Sequence, residues 1–128
     1  PGPAVFAEMV YDAVIKAKLE KHVIIQSFDP RPLQELRKLL VALPLAFLTG
    51  SNAKTAAENL EWLGFVPDTY SPHFSLVNDE LIKFCREKGM KIVPWTVNEV
   101  ADLERMKKFD LDGIITDYPD RAVRVFRK

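Results

Sequence analysis

Several hallmarks of well-known protein classes are absent from this sequence. It has one cysteine, Cys85, which excludes an internal disulfide framework, and its place on the apolar face of a predicted helix favours a small core side chain. No apolar run approaches the length of a membrane span, which takes about 20 residues. Eighteen basic residues balance eighteen acidic ones, so the charge gives no reason to expect nucleic acid or an anionic membrane as a partner. A small-molecule ligand is the expected partner.

Common catalytic and metal-binding motifs are also missing. There is no glycine-rich phosphate loop, no Ser-His-Asp order and no Cys/His set at metal-ligand spacing. Residues 110–113 resemble part of a calcium loop but lack its other acidic ligands, so we predict a plain turn before a strand. The chain starts at Pro1 without an initiator methionine, which we interpret as the inside of a longer chain, and localisation is therefore left open.

The stretch 91–119 is the most informative part of the chain. It holds two short apolar, β-branched runs joined by a helix-patterned segment, which predicts two parallel strands, 91–97 and 113–116, with a crossover helix between them. Polar or aromatic residues close each run: Trp95, Thr96 and Asn98 after the first, and Thr116 and Asp117 after the second. In open α/β sheets and in (β/α) barrels, ligands bind at the carboxyl ends of the strands. This edge is the predicted site.

The rest of the chain repeats the pattern of strand and helix. Strands are predicted at 23–25, 43–48 and 69–74, with a turn at 49–52 and helices between them, at spacings of roughly 20 to 25 residues. We predict an irregular or edge element at 69–74, because Pro72 cannot donate a ladder hydrogen bond. No linker divides the chain, so residues 1–128 are one structural unit.

Three helix predictions accompany the strands. Helix 4–21 carries an apolar stripe and is wider in its hydrophobicity than a surface helix. Asn98 is predicted to cap the helix after strand 91–97. The last helix, 119–127, is predicted to face inward through Ala122, Val123 and Phe126. The stripe of helix 4–21 consists of Phe6, Met9, Val10, Ala13 and Ala17.

Four segments, in this order and spacing, carry a family resemblance: VIIQSFD at 23–29, SPHF at 71–74, REKGMKIVPWTVN at 86–98 and DGIITDYPD at 112–120. Together they resemble the carboxyl half of the glycerophosphodiester phosphodiesterase family. The resemblance implies the carboxyl-terminal half of a (β/α)8 TIM barrel of the phospholipase C-like phosphodiesterase type, with parallel strands in sequential order. It also implies hydrolysis of glycerophosphodiesters to glycerol 3-phosphate and an alcohol, with a divalent cation, Ca²⁺ or Mg²⁺, and two histidines that exchange protons.

The family's catalytic motifs do not occur in this sequence. Its His-Arg-Gly, Glu-x-Asp, His-Asp and Glu-x-Lys motifs all precede the segment matched by residues 27–29, and only 22 residues lie before Val23 here. The resemblance therefore implies a partial domain, 1–128, that lacks the amino-terminal strands, holds neither catalytic residues nor metal ligands, and is inactive alone. Its expected partner is the missing barrel half, or a second copy bound through open strand edges.

The resemblance assigns substrate-pocket positions to Phe28, His73 and Trp95. The alternative interpretation of Trp95 is a core tryptophan between strand and helix. For Phe28, the alternative is a hydrophobic side chain that covers the barrel interior. A single histidine without a positioned carboxylate is more often structural, so a pocket wall is expected of His73 rather than a general base. Thr116 and Asp117 either orient a cation or phosphate or, as we favour, tie the start of the last helix. Ser27 and Asn98 are open to both interpretations.

Two alternatives stay open at this stage. One is a self-sufficient, doubly wound, flavodoxin-like domain that binds a small molecule without catalysis, in which the strand order would reverse at the binding site. The other is a relative that has lost its metal ligands and only binds or scaffolds.

Overall fold

A computed structural model describes residues 2–18, 23–39, 43–50 and 53–127. Parts of the predicted helix 4–21 and of the predicted turn 49–52 lie outside these ranges. The elements, in chain order, are α1 (Pro3–Lys16), β1 (Ile25–Ser27), α2 (Pro30–Leu39), β2 (Leu45–Thr49), α3 (Ala56–Leu63), β3 (Thr69–Pro72), a 3₁₀ turn (Phe74–Leu76), α4 (Asp79–Lys88), β4 (Lys91–Ile92), α5 (Val100–Lys107) and α6 (Pro119–Phe126).

The four strands form one parallel sheet in the order β1-β2-β3-β4. The sequence order of strand and helix predicted this α/β arrangement, and the structure confirms it. A doubly wound domain needs a reversal of strand order, and the four strands described here have none. That alternative is therefore wrong.

The prediction that 69–74 is an irregular or edge element is also wrong. β3 lies between β2 and β4, and all four of its residues are buried. Pro72 is tolerated because it is the last residue of the strand, where its carbonyl oxygen rather than an N–H continues the ladder and accepts from the Trp95 N–H at 3.1 Å.

The two strands predicted in 91–119 are shorter or less regular than expected. β4 ends at Ile92, and residues 113–116 lie beside it without forming a regular strand. The Ile115 N–H donates to the Pro94 carbonyl oxygen at 2.9 Å, and the Val97 N–H donates to the Ile115 carbonyl oxygen at 2.8 Å. In a parallel ladder, the two residues that bond to Ile115 would be two positions apart in the sequence. Pro94 and Val97 are three positions apart, so the pairing is interrupted at Pro94 and Trp95.

Side chains on one face of the sheet form the main core with the helices. Phe47, Tyr70 and Ile92 are aligned in register across three strands and pack with residues of α2, α3 and α4, among them Leu36, Leu63 and Cys85. Burial of a side chain such as leucine or phenylalanine stabilises the fold by about 1.5–3 kcal/mol. A second cluster joins the carboxyl-terminal helices: Val77, Val97, Leu103, Met106, Ala122 and Val125.

The predicted inner face of the last helix is wrong in part. In α6, Val123 is 44% and Phe126 is 41% exposed, and Val125 is buried with Ala122 instead. In α1, Ala7 and Val14 are buried, whereas Phe6 and Met9 of the predicted stripe are 46% and 59% exposed. Both helices are apolar on more than one side, so periodicity alone cannot tell which side meets the core.

Aspartates at the amino ends of two strands repeat one arrangement. The Asp68 N–H donates to the Leu45 carbonyl oxygen, and its carboxylate accepts from the Leu45 N–H at 2.8 Å. Asp112 makes the same two bonds to Ile92, also with a carboxylate distance of 2.8 Å, and it pairs with Arg86 at 2.6 Å. Each aspartate thus binds the amino-terminal part of one strand to the loop that leads into the next strand or extended segment.

The Asp112 pair should be visible in the pH dependence of stability. Partial burial raises the pKa of Asp112, but hydrogen bonds from the Ile92 N–H and Arg86 lower it by more, so the net pKa lies below its ordinary 3.8. The stabilisation is complete above the pKa of the unfolded carboxyl and is lost as pH falls through the lower folded value. Asp112→Ala should cost about 1–3 kcal/mol at pH 7, because it leaves the buried Ile92 N–H unpaired.

Denaturant titrations from pH 7 to pH 3 measure this effect. Asp110→Ala is the matched control, because that side chain is 94% exposed and lies 4.0 Å from Arg86. Equal stability losses in the two variants would contradict the assignment.

The described edge of β1 offers a second prediction. β1 pairs only with β2 among the described strands, and Ile24 beside it is 60% exposed. An unpaired parallel edge with exposed apolar side chains favours association, so the chain alone should self-associate. Ile24→Lys should reduce this association, whereas Val66→Lys, at a comparably exposed position after α3, should not.

Sedimentation velocity over a concentration series tests the prediction. A monodisperse monomer of the unaltered chain that melts cooperatively would refute it.

Candidate functional site

Three predicted site residues and one glycine follow four different strands and meet at one edge of the sheet. Phe28 follows β1, Gly50 follows β2, His73 follows β3, and Trp95 follows β4. An isolated parallel bridge joins His73 to Trp95, which continues the pairing of β3 with the segment after β4. Because all strands are parallel, their carboxyl ends lie at the same edge, as the sequence predicted.

Three aromatic side chains form a cluster with Trp95 at its centre. The ring centroids of Phe28 and Trp95 are 5.2 Å apart with an interplanar angle of 89°. Those of His73 and Trp95 are 5.0 Å apart at 90°. Edge-to-face pairs of aromatic side chains contribute about 0.5–1.5 kcal/mol beyond the area that they bury. The structure thus brings Phe28, His73 and Trp95 together, and their role toward a substrate stays a prediction.

The Trp95 indole is held by a hydrogen bond as well as by ring contacts. Its Nε1–H donates to the Ser71 carbonyl oxygen at 3.0 Å, and the side chain is half-buried. A core tryptophan between strand and helix was the alternative. The observed contacts are with residues of the carboxyl edge instead, so Trp95 lies at the predicted edge.

A tight turn presents Phe28 to the outside. Ser27 Oγ donates to the Asp29 carbonyl oxygen at 2.9 Å and accepts from the Asp29 N–H, while the Asp29 carboxylate accepts bonds from Arg31. Hydrogen bonds from the Arg31 side chain hold the pKa of Asp29 below its usual range. Ser27 therefore has a structural role in the turn, and Phe28 is left 53% exposed.

His73 is fixed by the 3₁₀ turn that follows it. Its Nδ1 lies 2.7 Å from Ser75 Oγ and accepts from the Ser75 N–H, which caps the turn. Its ring stacks on Phe74 with centroids 4.4 Å apart. One ring nitrogen is thus used in a local cap, which agrees better with a pocket wall than with a general base.

Comparison with known proteins places the chain in a family. The sequence profile described as "Glycerophosphoryl diester phosphodiesterase family" matches residues 4–121. The chain belongs to this family. The resemblance seen in its sequence motifs is thereby confirmed.

Relatives and solved structures agree with this assignment. A glycerophosphodiester phosphodiesterase of Caldanaerobacter subterraneus subsp. tengcongensis is 32% identical over 125 residues, which are 94% of this chain and 49% of that protein. A glycerophosphodiester phosphodiesterase from Parabacteroides distasonis has a similar fold, with a TM-score of 0.82 at 24% identity over 98% of this chain and 51% of that one. The chain spans about half the length of the relatives that it matches.

A second similar structure has a bound product. The phosphodiesterase of Oleispira antarctica, solved in complex with sn-glycerol-3-phosphate, aligns with a TM-score of 0.76 at 18% identity over 100% of this chain and 53% of that one. At this identity the likeness shows the fold alone. The four sequential parallel strands thus align with about half of the TIM barrel of these phosphodiesterases.

The described residues of this family member do not form a metal site. Within residues 2–18, 23–39, 43–50 and 53–127, no group of three or more His, Cys, Asp and Glu side chains is placed to hold a metal ion. The turn 110–113 uses the Asp112 carboxylate for Arg86 and the Ile92 N–H. The turn therefore does not leave this carboxylate available to a divalent cation. The same part of the chain contains no helix long and apolar enough to cross a membrane.

Asn98 does not cap α5, and the prediction of that cap is wrong. Glu99 is the residue before the helix, and the Asn98 side chain points to the neighbouring loop. Its Oδ1 accepts from Thr116 Oγ1 at 3.1 Å and from the Asp117 N–H at 2.9 Å, and its Nδ2 donates to Asp117 Oδ2 at 3.0 Å. Arg121 donates to the Asn98 carbonyl oxygen at 2.7 Å. Thr116 and Asp117 thus tie the chain ahead of α6, as favoured from the sequence.

Sequence reasoning missed two residues of this edge. Ser71 belongs to the predicted element 69–74 and to the SPHF motif, but neither indicates that its carbonyl oxygen holds the Trp95 indole. Gly50 was read only as part of a turn, yet the Trp95 ring lies directly against it. A glycine after an apolar strand is a usable signal for Gly50, because glycine often marks the close approach of another group. A main-chain carbonyl leaves no signal in the sequence.

Removal of the Asn98 side chain tests whether it holds the edge together. Asn98→Ala should destabilise the chain by about 1–3 kcal/mol, because it breaks three side-chain hydrogen bonds at a partly buried position. Chemical denaturation measures the change. The control is Asp120→Ala, which removes an exposed ion pair with Arg124 and should change stability by less than about 0.5 kcal/mol. A similar loss in both variants would refute the role of Asn98.

Proposed function

We propose that this chain is the carboxyl-terminal half of the (β/α)8 barrel of a glycerophosphodiester phosphodiesterase, residues 1–128 forming a partial catalytic domain. The complete enzyme hydrolyses glycerophosphodiesters to glycerol 3-phosphate and an alcohol. The order of the four sequence motifs supports the choice of half, and the family membership supports the reaction class. The product seen in the Oleispira antarctica phosphodiesterase supports glycerol 3-phosphate as the common part of the substrate.

The aromatic cluster is the observation that carries the proposal for this half. Phe28, His73 and Trp95 lie at the carboxyl edge of the strands, where barrel enzymes bind their substrates, and the exposed Phe28 ring and half-buried Trp95 give this edge an apolar wall. Such a wall binds the carbon skeleton of a glycerophosphodiester and excludes water beside the phosphate.

The chemistry of the complete enzyme comes from the other half. We assign the divalent cation, Ca²⁺ or Mg²⁺, and the groups that transfer protons to residues outside this chain, because the described residues do not fit a cation and His73 is used in a cap. The role of this chain is to bind and orient the substrate. Alone it is inactive, and its partner is the amino-terminal half of the barrel, added in parallel beside β1.

Replacement of Trp95 tests this function in the complete enzyme. Trp95→Ala should raise KM about ten-fold while kcat changes less, because a wall that binds substrate and transition state alike contributes to binding only. The assay follows release of glycerol 3-phosphate from a glycerophosphodiester. Phe65→Ala is the control, because Phe65 lies between α3 and β3, at the amino ends of the strands, and packs against Arg37.

Two results would overturn the proposal. One is an equal KM for the Trp95 and Phe65 variants. The other is hydrolysis by the isolated 128-residue chain at the rate of the complete enzyme.

A further inference from the structure

Gly50 is in close contact with the central aromatic ring of the cluster. A Cβ atom built on Gly50 would lie 3.1 Å from Trp95 Cζ2, 3.3 Å from Trp95 Cη2 and 3.9 Å from Phe28 Cε1. The first two distances are shorter than ordinary van der Waals contacts, which begin near 3.4 Å. Any side chain at position 50 therefore forces the indole to move.

The backbone conformation does not explain the glycine. Gly64 and Gly89 have left-handed φ angles of 84° and 73° and end α3 and α4, a position that glycine occupies because it lacks a Cβ. Gly50 is outside that region of φ, so its backbone suits other residues. What glycine supplies at position 50 is space for the indole.

The indole is held by contacts with three residues. Its Nε1–H is bonded to the Ser71 carbonyl oxygen at 3.0 Å, and the rings of Phe28 and His73 stand at right angles to it at 5.2 and 5.0 Å. A shift of a few tenths of an ångström away from β2 must lengthen that hydrogen bond or change the ring contacts. The position of the aromatic wall thus depends on the absence of a side chain at Gly50.

We infer that Gly50 is a positioning residue for the substrate pocket. It allows the Trp95 indole to lie against the end of β2, and so it sets the depth of the wall that Phe28 and Trp95 form. The inference rests on the proposed function of this wall. It assigns Gly50 no contact with the reacting atoms.

The first experiment measures the indole itself, in the complete enzyme and without a ligand. The NMR resonance of the Trp95 Nε1–H reports its hydrogen bond to Ser71. Gly50→Ala should shift this resonance and lower the melting temperature. Gly113→Ala is the matched control, because its Cβ would meet only Val93 methyl groups at 3.8 Å, an ordinary contact.

A double variant separates a steric effect on Trp95 from a general loss of folding. Phenylalanine lacks Cζ2 and Cη2, the two ring atoms of Trp95 that a Cβ at position 50 would approach. Gly50→Ala should therefore cost little further stability in a Trp95→Phe background. If Gly50→Ala does not fold but the double variant does, the inference is supported. If neither folds, or if the resonance is as unperturbed as in Gly113→Ala, the inference is overturned.

The second experiment measures the complete enzyme. Displacement of a pocket wall should raise the KM of Gly50→Ala about five-fold at nearly constant kcat, with no such change in Gly113→Ala. A raised KM in the Trp95→Ala enzyme together with an unchanged KM in Gly50→Ala overturns only the role of Gly50. An unchanged KM in both overturns the proposed wall as well, so the two failures are distinguishable.

Discussion

The parallel register of the sheet determines where every residue of the candidate site lies. Gln26, Ala46, Thr69 and Lys91 are aligned across the four strands, and from this row each strand runs a few residues further before it ends in a loop. Phe28, Gly50, His73 and Trp95 are the residues reached at that point. A slip of one residue between any two strands would turn every side chain of one of them to the opposite face. The aromatic cluster depends on this register before it depends on any contact of its own.

The two ends of the strands have different tasks. At the amino ends, Asp68 and Asp112 use both main-chain and carboxylate groups to bind Leu45 and Ile92, which fixes adjacent units to each other. At the carboxyl ends, side chains are half exposed and pack edge to face, which leaves surface for a ligand. This division between a stabilising and a functional end is general in barrels of parallel strands. It explains how a large part of the fold can be rigid while Phe28 stays exposed.

Much of this was predictable from the sequence, for identifiable reasons. Short β-branched runs predicted parallel strands, the spacing of strands and helices predicted the α/β sheet, and the motif order predicted the family. Three features failed because they depend on partners distant in the chain. β3 can be a central strand because Pro72 has to supply only its carbonyl oxygen to the ladder. The Asn98 side chain binds Asp117 rather than capping α5. α6 turns Val125 toward the core because of the residues against which this helix packs. Local patterns describe an element, whereas the orientation of an apolar helix depends on its neighbours.

The aspartate contacts also have a kinetic meaning. Asp68 lies 23 residues from Leu45, and Asp112 lies 20 residues from Ile92, so each closes a loop of one repeating unit. Loops of this length have a modest closure entropy, and each described strand pairs only with the described strands next to it in the chain. A polypeptide with such short-range closure gains order one unit at a time as it is synthesised, without waiting for its far end. During this process, the strand at the end of the part that has already folded opens most readily. Its amides are the last to be protected from hydrogen exchange.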